Sequence, residues 1–258
     1  MSRNAAISRA RSHLDSGDFE TVLSRLVAIR SESQNPERAL QIVEYLNELR
    51  CMLEELGCDW QHLTAAGTDF LYAERREAGA LLTVLGYGHG DVVRGMDESW
   101  ATEISPWRLA KLGDRWYGRG IADNKGQHAI NIASLRAVLE TRGRLGFNLK
   151  YLIEMGEEVD SPGLRELCTT HKNLLCGDLF LASDGPRLSE HRPTIFLGSR
   201  GCVTFDISID ARESAWMRPV GETIVARACA SIIRAIGAVC FSDPAIQPDS
   251  RMASRWAA

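Results

Sequence analysis

The segment from residue 80 to residue 184 alternates short apolar runs with amphipathic stretches, and this alternation constrains the fold more than any other feature. Apolar runs occupy residues 80–87, 147–154 and 178–182, and stretches with helical spacing occupy residues 125–141 and 161–174. The order strand, helix, strand, helix, strand predicts an α/β fold, a mostly parallel sheet with helices on both faces. We expect the first run to be covered on both faces and the last to be a short buried strand.

Upstream of this segment the pattern predicts two helices and two short strands. The helices are expected at 18–29 and from Asn35-Pro36 to Leu56, and the strands near 58–63 and 69–75. Asn35 followed by Pro36 is typical of a helix start, because asparagine caps helices and proline is tolerated in the first turn. Gly113-Asp114 predicts a hairpin between residues 107–111 and 115–117.

Composition argues against several classes of function. The formal net charge is −4, which gives no electrostatic reason to expect a nucleic acid or an anionic membrane as partner. No apolar run approaches the roughly 18 residues that a membrane helix needs. The seven cysteines form no CxxC pair, so we expect reduced, mostly buried thiols in a cytoplasmic protein.

Side chains that can bind metals follow the ends of the apolar runs. Parallel strands bring their carboxyl ends to one edge of a sheet, so we expect these side chains to converge there. Carboxylate oxygens and imidazole nitrogens are suitable ligands for divalent metals such as zinc. The side chains are His89 and Asp91, Glu157 and Glu158, and Asp184, together with Asp123 directly before the helix predicted at 125–141.

Each of these positions, taken alone, also has an ordinary structural explanation. A helix N-cap would explain Asp123, and the start of a turn would explain Asp184 before Gly185. A solvated acidic turn would explain Glu157 and Glu158, although adjacent carboxylates repel each other unless a cation intervenes. The occurrence of all the positions in order favours a metal site.

Several motifs occur along the chain in a characteristic order. They are Gly88-His89-Gly90-Asp91-Val92-Val93, Trp107, Tyr117-Gly118-Arg119-Gly120, Asp123-Asn124-Lys125-Gly126, Glu157-Glu158 and Asp184. With these motifs the chain resembles the M20 metallopeptidases, the group of glutamate carboxypeptidase, succinyl-diaminopimelate desuccinylase and acetylornithine deacetylase. The resemblance extends from about residue 15 to about residue 210.

The resemblance implies a pair of divalent metal ions, usually zinc, with cobalt or manganese as the alternatives. Asp123 would bridge both ions, His89 and Asp184 would complete one site, and Glu158 would hold the other. Asp91 would support His89. These roles are those of the family, carried over to the matching positions of this sequence.

The implied reaction is hydrolysis of a peptide or N-acyl amide bond in a small amino-acid-like substrate. Glu157 would be the general base that takes a proton from a metal-activated water. The expected partner is therefore a small peptide or N-acyl amino acid, with neither nucleic acid nor membrane involved. The family's lid domain also suggests a homodimer, weakened here because the lid is incomplete.

The sequence departs from the family pattern after Asp184. Family members supply a histidine early in the lid and a last metal histidine later, but residues 210–216 contain none and none follows His191. We therefore expect a C-terminally truncated chain with an incomplete second metal site. His191 is an alternative ligand, although its Ser-Glu-His-Arg-Pro surroundings are typical of an exposed loop.

These departures define the expected domains and an alternative function. Residues 1–198 would form a catalytic metal-binding domain that lacks its C-terminal return segment, residues 199–240 a fragment of the lid or dimerisation domain, and residues 241–258 a loose tail. The alternative to a working hydrolase is a catalytically impaired remnant. It would bind at most one metal or act as the partner of a full-length relative.

Overall fold

A five-stranded sheet organises the part of the chain that the computed structural model describes, which is residues 3–185, 189 and 191–198. Its strands lie in the order β1-β2-β6-β3-β7, and β4 and β5 form a separate hairpin. The strands are β1 (Asp59–Ala65), β2 (Thr68–Arg75), β3 (Thr83–His89), β4 (Ala110–Leu112), β5 (Arg115–Tyr117), β6 (Asn148–Glu154) and β7 (Leu179–Ala182).

The sheet is mostly parallel, as the alternation of patterns predicts. Strand β3 lies between β6 and β7 and runs parallel to both. Strand β2 is antiparallel to both of its neighbours, β1 and β6. Four of the five strands therefore point the same way, and the carboxyl ends of β3, β6 and β7 meet at one edge.

Six α-helices accompany the strands in the described residues. They are α1 (Arg3–Asp15), α2 (Asp18–Ala28), α3 (Ala39–Glu54), α4 (Lys125–Arg142), α5 (Leu164–Thr170) and α6 (Lys172–Leu175), and short 3-10 turns occur at Pro36–Arg38, Asp97–Ser99 and Glu157–Val159. The sequence did not predict α1, whose residues are all at least partly exposed. A helix that buries no side chain leaves no clear apolar stripe for periodicity to detect.

Helices cover the two faces of the sheet in separate clusters. On one face α2, α3 and α4 pack against Leu71, Leu149 and Ile153. On the other face α5 and α6 pack against Phe70 and Leu152. Because successive strand residues point to opposite faces, the continuous apolar sequence of β2 and β6 supplies both clusters.

Strand β7 forms where the sequence predicts it, but the expectation that it is buried is wrong. Leu179, Phe180 and Leu181 are all more than half exposed. Among the described strands β7 pairs with β3 alone, so it lies at the edge of the sheet. Strand β3 begins at Thr83, later than the start of the apolar run at 80–87. Leu81, which precedes the strand, is exposed.

Four of the seven cysteines lie in the described ranges, and all four are free thiols. Only Cys58 is buried, so the expectation of mostly buried thiols is wrong for this part of the chain. No helix in the described ranges has both the length and the apolar character needed to cross a bilayer. The described residues up to Thr194 belong to one compact unit, and the predicted segments at 199–240 and 241–258 lie outside the described residues.

Glu77 ties the end of β2 to the loop that enters β6. Its carboxylate accepts hydrogen bonds from the backbone amides of Leu145 (2.6 Å) and Gly146 (2.7 Å) and from Nε of Arg75 (3.3 Å). Burial alone would raise the pKa of Glu77, but these hydrogen bonds outweigh it and hold the pKa below its usual value.

We predict that Glu77→Gln lowers the free energy of unfolding by about 1.5–3 kcal/mol at neutral pH, because one amide loses its charged acceptor. A carboxyl whose folded pKa is depressed stabilises the fold above its unfolded pKa of about 4.3, and this stabilisation is lost as pH falls through the folded value. Urea unfolding from neutral pH to about pH 3.5 should therefore show the two proteins converging.

Glu74→Gln is the matched control, because Glu74 forms its ion pair with the largely exposed Arg76 and accepts no bond from the loop that enters β6. It should change stability by less than about 1 kcal/mol. An equal loss in both variants, or a Glu77→Gln deficit that persists unchanged in acid, would contradict this account of Glu77.

Candidate metal centre

His89 is the last residue of β3, and its ring is buried at the carboxyl edge of the sheet. Nδ1 lies 3.0 Å from the backbone oxygen of Asp91, which can only accept, so Nδ1 carries a proton. Nε2 faces the acidic side chains instead. It lies 2.9 Å from Oδ1 of Asp123, 3.6 Å from Oδ2 of Asp184 and 3.9 Å from Oε2 of Glu157.

Asp91 is fully buried and joins His89 to the turn that follows β6. Its Oδ1 lies 3.4 Å from Nδ1 of His89. The same carboxylate accepts hydrogen bonds from the backbone amides of Glu157 (3.2 Å) and Glu158 (3.1 Å). One carboxylate therefore fixes the position of the ring and of the two adjacent glutamates.

Strand pairing brings the glutamates to the same edge as His89. In the parallel pair β3 and β6, His89 lies opposite Glu154, and the 3-10 turn Glu157–Val159 follows directly. Donor atoms of His89, Asp123 and Glu158 all lie within 4.8 Å of one another. This is the spacing expected of side chains able to share a cation after small movements.

Asp123 reaches the edge from the segment before α4. The peptide bond between Asp123 and Asn124 is cis. Asn124 is buried, and its Nδ2 donates to the backbone oxygen of Ser183 at 2.9 Å, next to Asp184. A Cβ on Gly126 would lie 2.0 Å from the backbone oxygen of Ile121, so only glycine permits this approach.

The concentration of acids around His89 shifts their proton equilibria. Burial and the charges of neighbouring acids, most of all Asp184, raise the pKa of Glu157 against the opposing effect of His89. Burial, followed by the charge of Asp123, raises the pKa of Glu158. Such crowded carboxylates, open to solvent on one side, form a donor set that fits a divalent cation.

The pKa of His89 is also raised. Burial alone would lower its pKa, but hydrogen bonds with Asp123 and Asp91 and the charge of Glu157 outweigh it and raise the pKa to about 11. The hydrogen bond with His89 correspondingly lowers the pKa of Asp123. In the absence of another cation, the imidazolium supplies the positive charge at the centre of the acids.

Two polar residues of α4, Lys125 and His128, are buried close to the site, and the sequence pattern predicted no role for either. Nζ of Lys125 donates to the backbone oxygens of Leu26 (3.0 Å) and Ile29, and burial lowers its pKa to about 7. Nε2 of His128 donates to the backbone oxygen of His89 at 2.5 Å, and burial lowers its pKa to about 4. Lys125 and His128 lie on the same buried face of α4 as Ala129. Their spacing along the helix indicates this shared face.

The structure thus brings together all six side chains that the sequence singled out. They are His89, Asp91, Asp123, Glu157, Glu158 and Asp184. Among the described residues, the group with metal-binding spacing contains His89, Asp123 and Glu158 but not His191. The individual roles of these residues remain predictions.

Comparisons with known proteins agree with this geometry. The family model described as Peptidase family M20/M25/M40 matches residues 85–252. A cysteinylglycine-S-conjugate dipeptidase from Corynebacterium striatum is 31% identical over 194 residues, covering 74% of this chain and 42% of the relative. A β-Ala-His dipeptidase from Mus musculus is 26% identical over 245 residues, covering 89% of this chain and 49% of the relative.

A solved structure shows the same likeness. The crystal structure of human carnosine dipeptidase 1 superposes with a TM-score of 0.64 at 28% identity, covering 71% of this chain and 41% of that chain. Because the family model matches more than half of the sequence, this chain belongs to peptidase family M20/M25/M40, a family of metallopeptidases. The chain spans less than half the length of the curated relatives described above.

We predict that Asp91→Asn weakens zinc binding about 10–100-fold, because an amide nitrogen cannot replace the oxygen that accepts from the turn. Competition with a chromophoric chelator measures the affinity. Asp97→Asn is the control, since Asp97 accepts a hydrogen bond from the indole of Trp107 (3.1 Å) and not from the amides of Glu157 and Glu158. Equal affinities for Asp91→Asn and Asp97→Asn would contradict the role given to Asp91.

Proposed function

We propose that this chain supplies the metal-binding part of a site that hydrolyses the amide bond of a dipeptide or N-acyl amino acid. The observation that carries the proposal is the convergence of His89, Asp123 and Glu158 within 4.8 Å, with Glu157 beside them. Membership of the family and the dipeptidase names of the relatives support the substrate class.

The proposed roles are those that membership of the family implies for these positions. His89, Asp123 and Asp184 would hold one divalent ion, and Asp123 and Glu158 a second, with zinc the expected metal. A bound cation would supply Lewis acidity that polarises the carbonyl and lowers the pKa of water. Asp91 orients His89 and keeps the two glutamates in place.

Glu157 is the proposed general base. Its carboxylate lies 3.9 Å from Nε2 of His89, beside the proposed metal ligands, where it can accept a proton from water. Burial and the neighbouring acids raise its pKa above the ordinary value of a glutamate, which suits a group that takes a proton from water and returns it to the leaving amine.

The proposal extends to the setting of the protein. We infer a cytoplasmic location from the free thiols of the described cysteines. The division into a catalytic domain at 1–198, a lid segment at 199–240 and a tail at 241–258 is also proposed, and with it a homodimer.

The decisive experiment combines zinc stoichiometry with hydrolysis of cysteinylglycine and β-alanylhistidine. Glu157→Gln should retain zinc and lose at least about 100-fold in hydrolysis, because the amide cannot accept the proton. His89→Ala should lose zinc and activity together. Glu166→Gln, an exposed acid of α5, should match the wild-type protein in both measurements.

The results separate the proposal from its alternative. Zinc binding without hydrolysis by the wild-type chain would favour the impaired remnant, in which the chain binds metal but does not turn over substrate. Full hydrolysis by Glu157→Gln would contradict the role of that residue. No zinc binding by the wild-type chain would contradict the proposed function altogether.

A further inference from the structure

Glu154 is a fully buried carboxyl that the proposed chemistry does not use. It ends β6 and lies opposite His89 in the parallel pair with β3. Its Oε1 accepts hydrogen bonds from the hydroxyl of Tyr87 and from Oγ of Ser161, the latter at 3.1 Å. Within the described part of the chain, Oε2 has no hydrogen-bond partner. A buried carboxyl oxygen without a hydrogen-bond partner costs free energy, so the presence of Glu154 here requires an explanation.

The backbone after the glutamates is held in an uncommon conformation. Asp160 and Ser161 have φ of 67° and 50°, in the left-handed region that residues other than glycine rarely adopt. Two such residues in succession persist only where their surroundings fix them. The backbone amide of Ser161 donates to the oxygen of Gly156 at 2.8 Å, and its hydroxyl donates to Glu154.

The turn from 156 to 163 is therefore anchored at two places. At its start, Asp91 accepts from the amides of Glu157 and Glu158. At its end, Ser161 is bonded to Glu154, and a Cβ on Gly163 would lie 2.3 Å from the backbone oxygen of Ala65. Without the Ser161 anchor, the chain after the glutamates would lose its side-chain link to β6.

We propose that Glu154 is a positioning residue, which acts through Ser161 to hold the turn that presents Glu157 and Glu158 and so strengthens metal binding. This inference rests on the proposed function, because it assumes that the turn contributes a metal ligand. In a merely structural role, Glu154 would affect the stability of the fold without a specific effect on the turn or on zinc.

The test uses the variants Ser161→Ala, Glu154→Leu and Glu154→Gln of the full chain. Hydrogen exchange of the amides at 157–161 and 163, measured without metal, should accelerate about tenfold in Ser161→Ala and Glu154→Leu. Zinc affinity, measured by chelator competition, should fall about 10–100-fold in the same two variants. Glu154→Gln keeps an oxygen acceptor and should stay within about threefold of the wild type in both measurements.

Tyr72→Phe is the matched control. Tyr72 lies in the cluster on the face covered by α5 and α6, and its hydroxyl donates one hydrogen bond to the backbone oxygen of Leu174 at 3.3 Å. Its loss should lower stability without changing exchange at 157–163 or zinc affinity. The control therefore shows the effect of losing one buried hydrogen bond that does not involve the turn.

Two results would overturn the inference. The first is that Ser161→Ala and Tyr72→Phe have the same hydrogen exchange and the same zinc affinity. If Glu154→Leu does not fold, Ser161→Ala alone decides this comparison. The other is a loss in Glu154→Gln as large as in Glu154→Leu. Failure of the wild-type chain to bind zinc would instead contradict the proposed function, while the exchange measurement would still decide whether the anchor exists.

Discussion

The arrangement of the candidate site depends on one buried carboxylate, that of Asp91. Strand β3 ends at His89, and β6 leads into Glu157 and Glu158, but strand pairing alone fixes neither the ring nor the turn. Asp91 contacts Nδ1 of the ring and accepts from both glutamate amides. A fully buried charge is costly unless it is paired and hydrogen-bonded, and these three contacts meet that requirement.

The second constraint is the accumulation of negative charge. Asp123, Glu157, Glu158 and Asp184 lie around a single imidazole, and burial and mutual repulsion raise the pKa of three of them. In Asp123 the hydrogen bond with His89 has the larger effect and lowers the pKa. A cluster of this kind costs the fold free energy unless a cation neutralises it, so a bound metal ion would stabilise the protein.

The sequence predicted the sheet and the convergence of six side chains at its edge because both leave local signals. Apolar runs mark strands, and acids at their carboxyl ends mark the site. Lys125, His128 and Glu154 were missed because polar residues inside apolar patterns look like interruptions, although each is buried by long-range contacts. The exposure of β7 was also missed, because an apolar run does not reveal whether a neighbouring element covers it.

X-ray absorption spectroscopy of the zinc-loaded chain identifies the atoms that bind the metal. If the side chains at the carboxyl end of the sheet share a cation, the extended fine structure of the zinc spectrum should show an imidazole nitrogen at about 2.0–2.1 Å. It should also show carboxylate oxygens at about 2.0–2.2 Å. The imidazole contribution should disappear in His89→Ala. A sulfur shell at about 2.3 Å, or an unchanged spectrum in His89→Ala, would contradict the account.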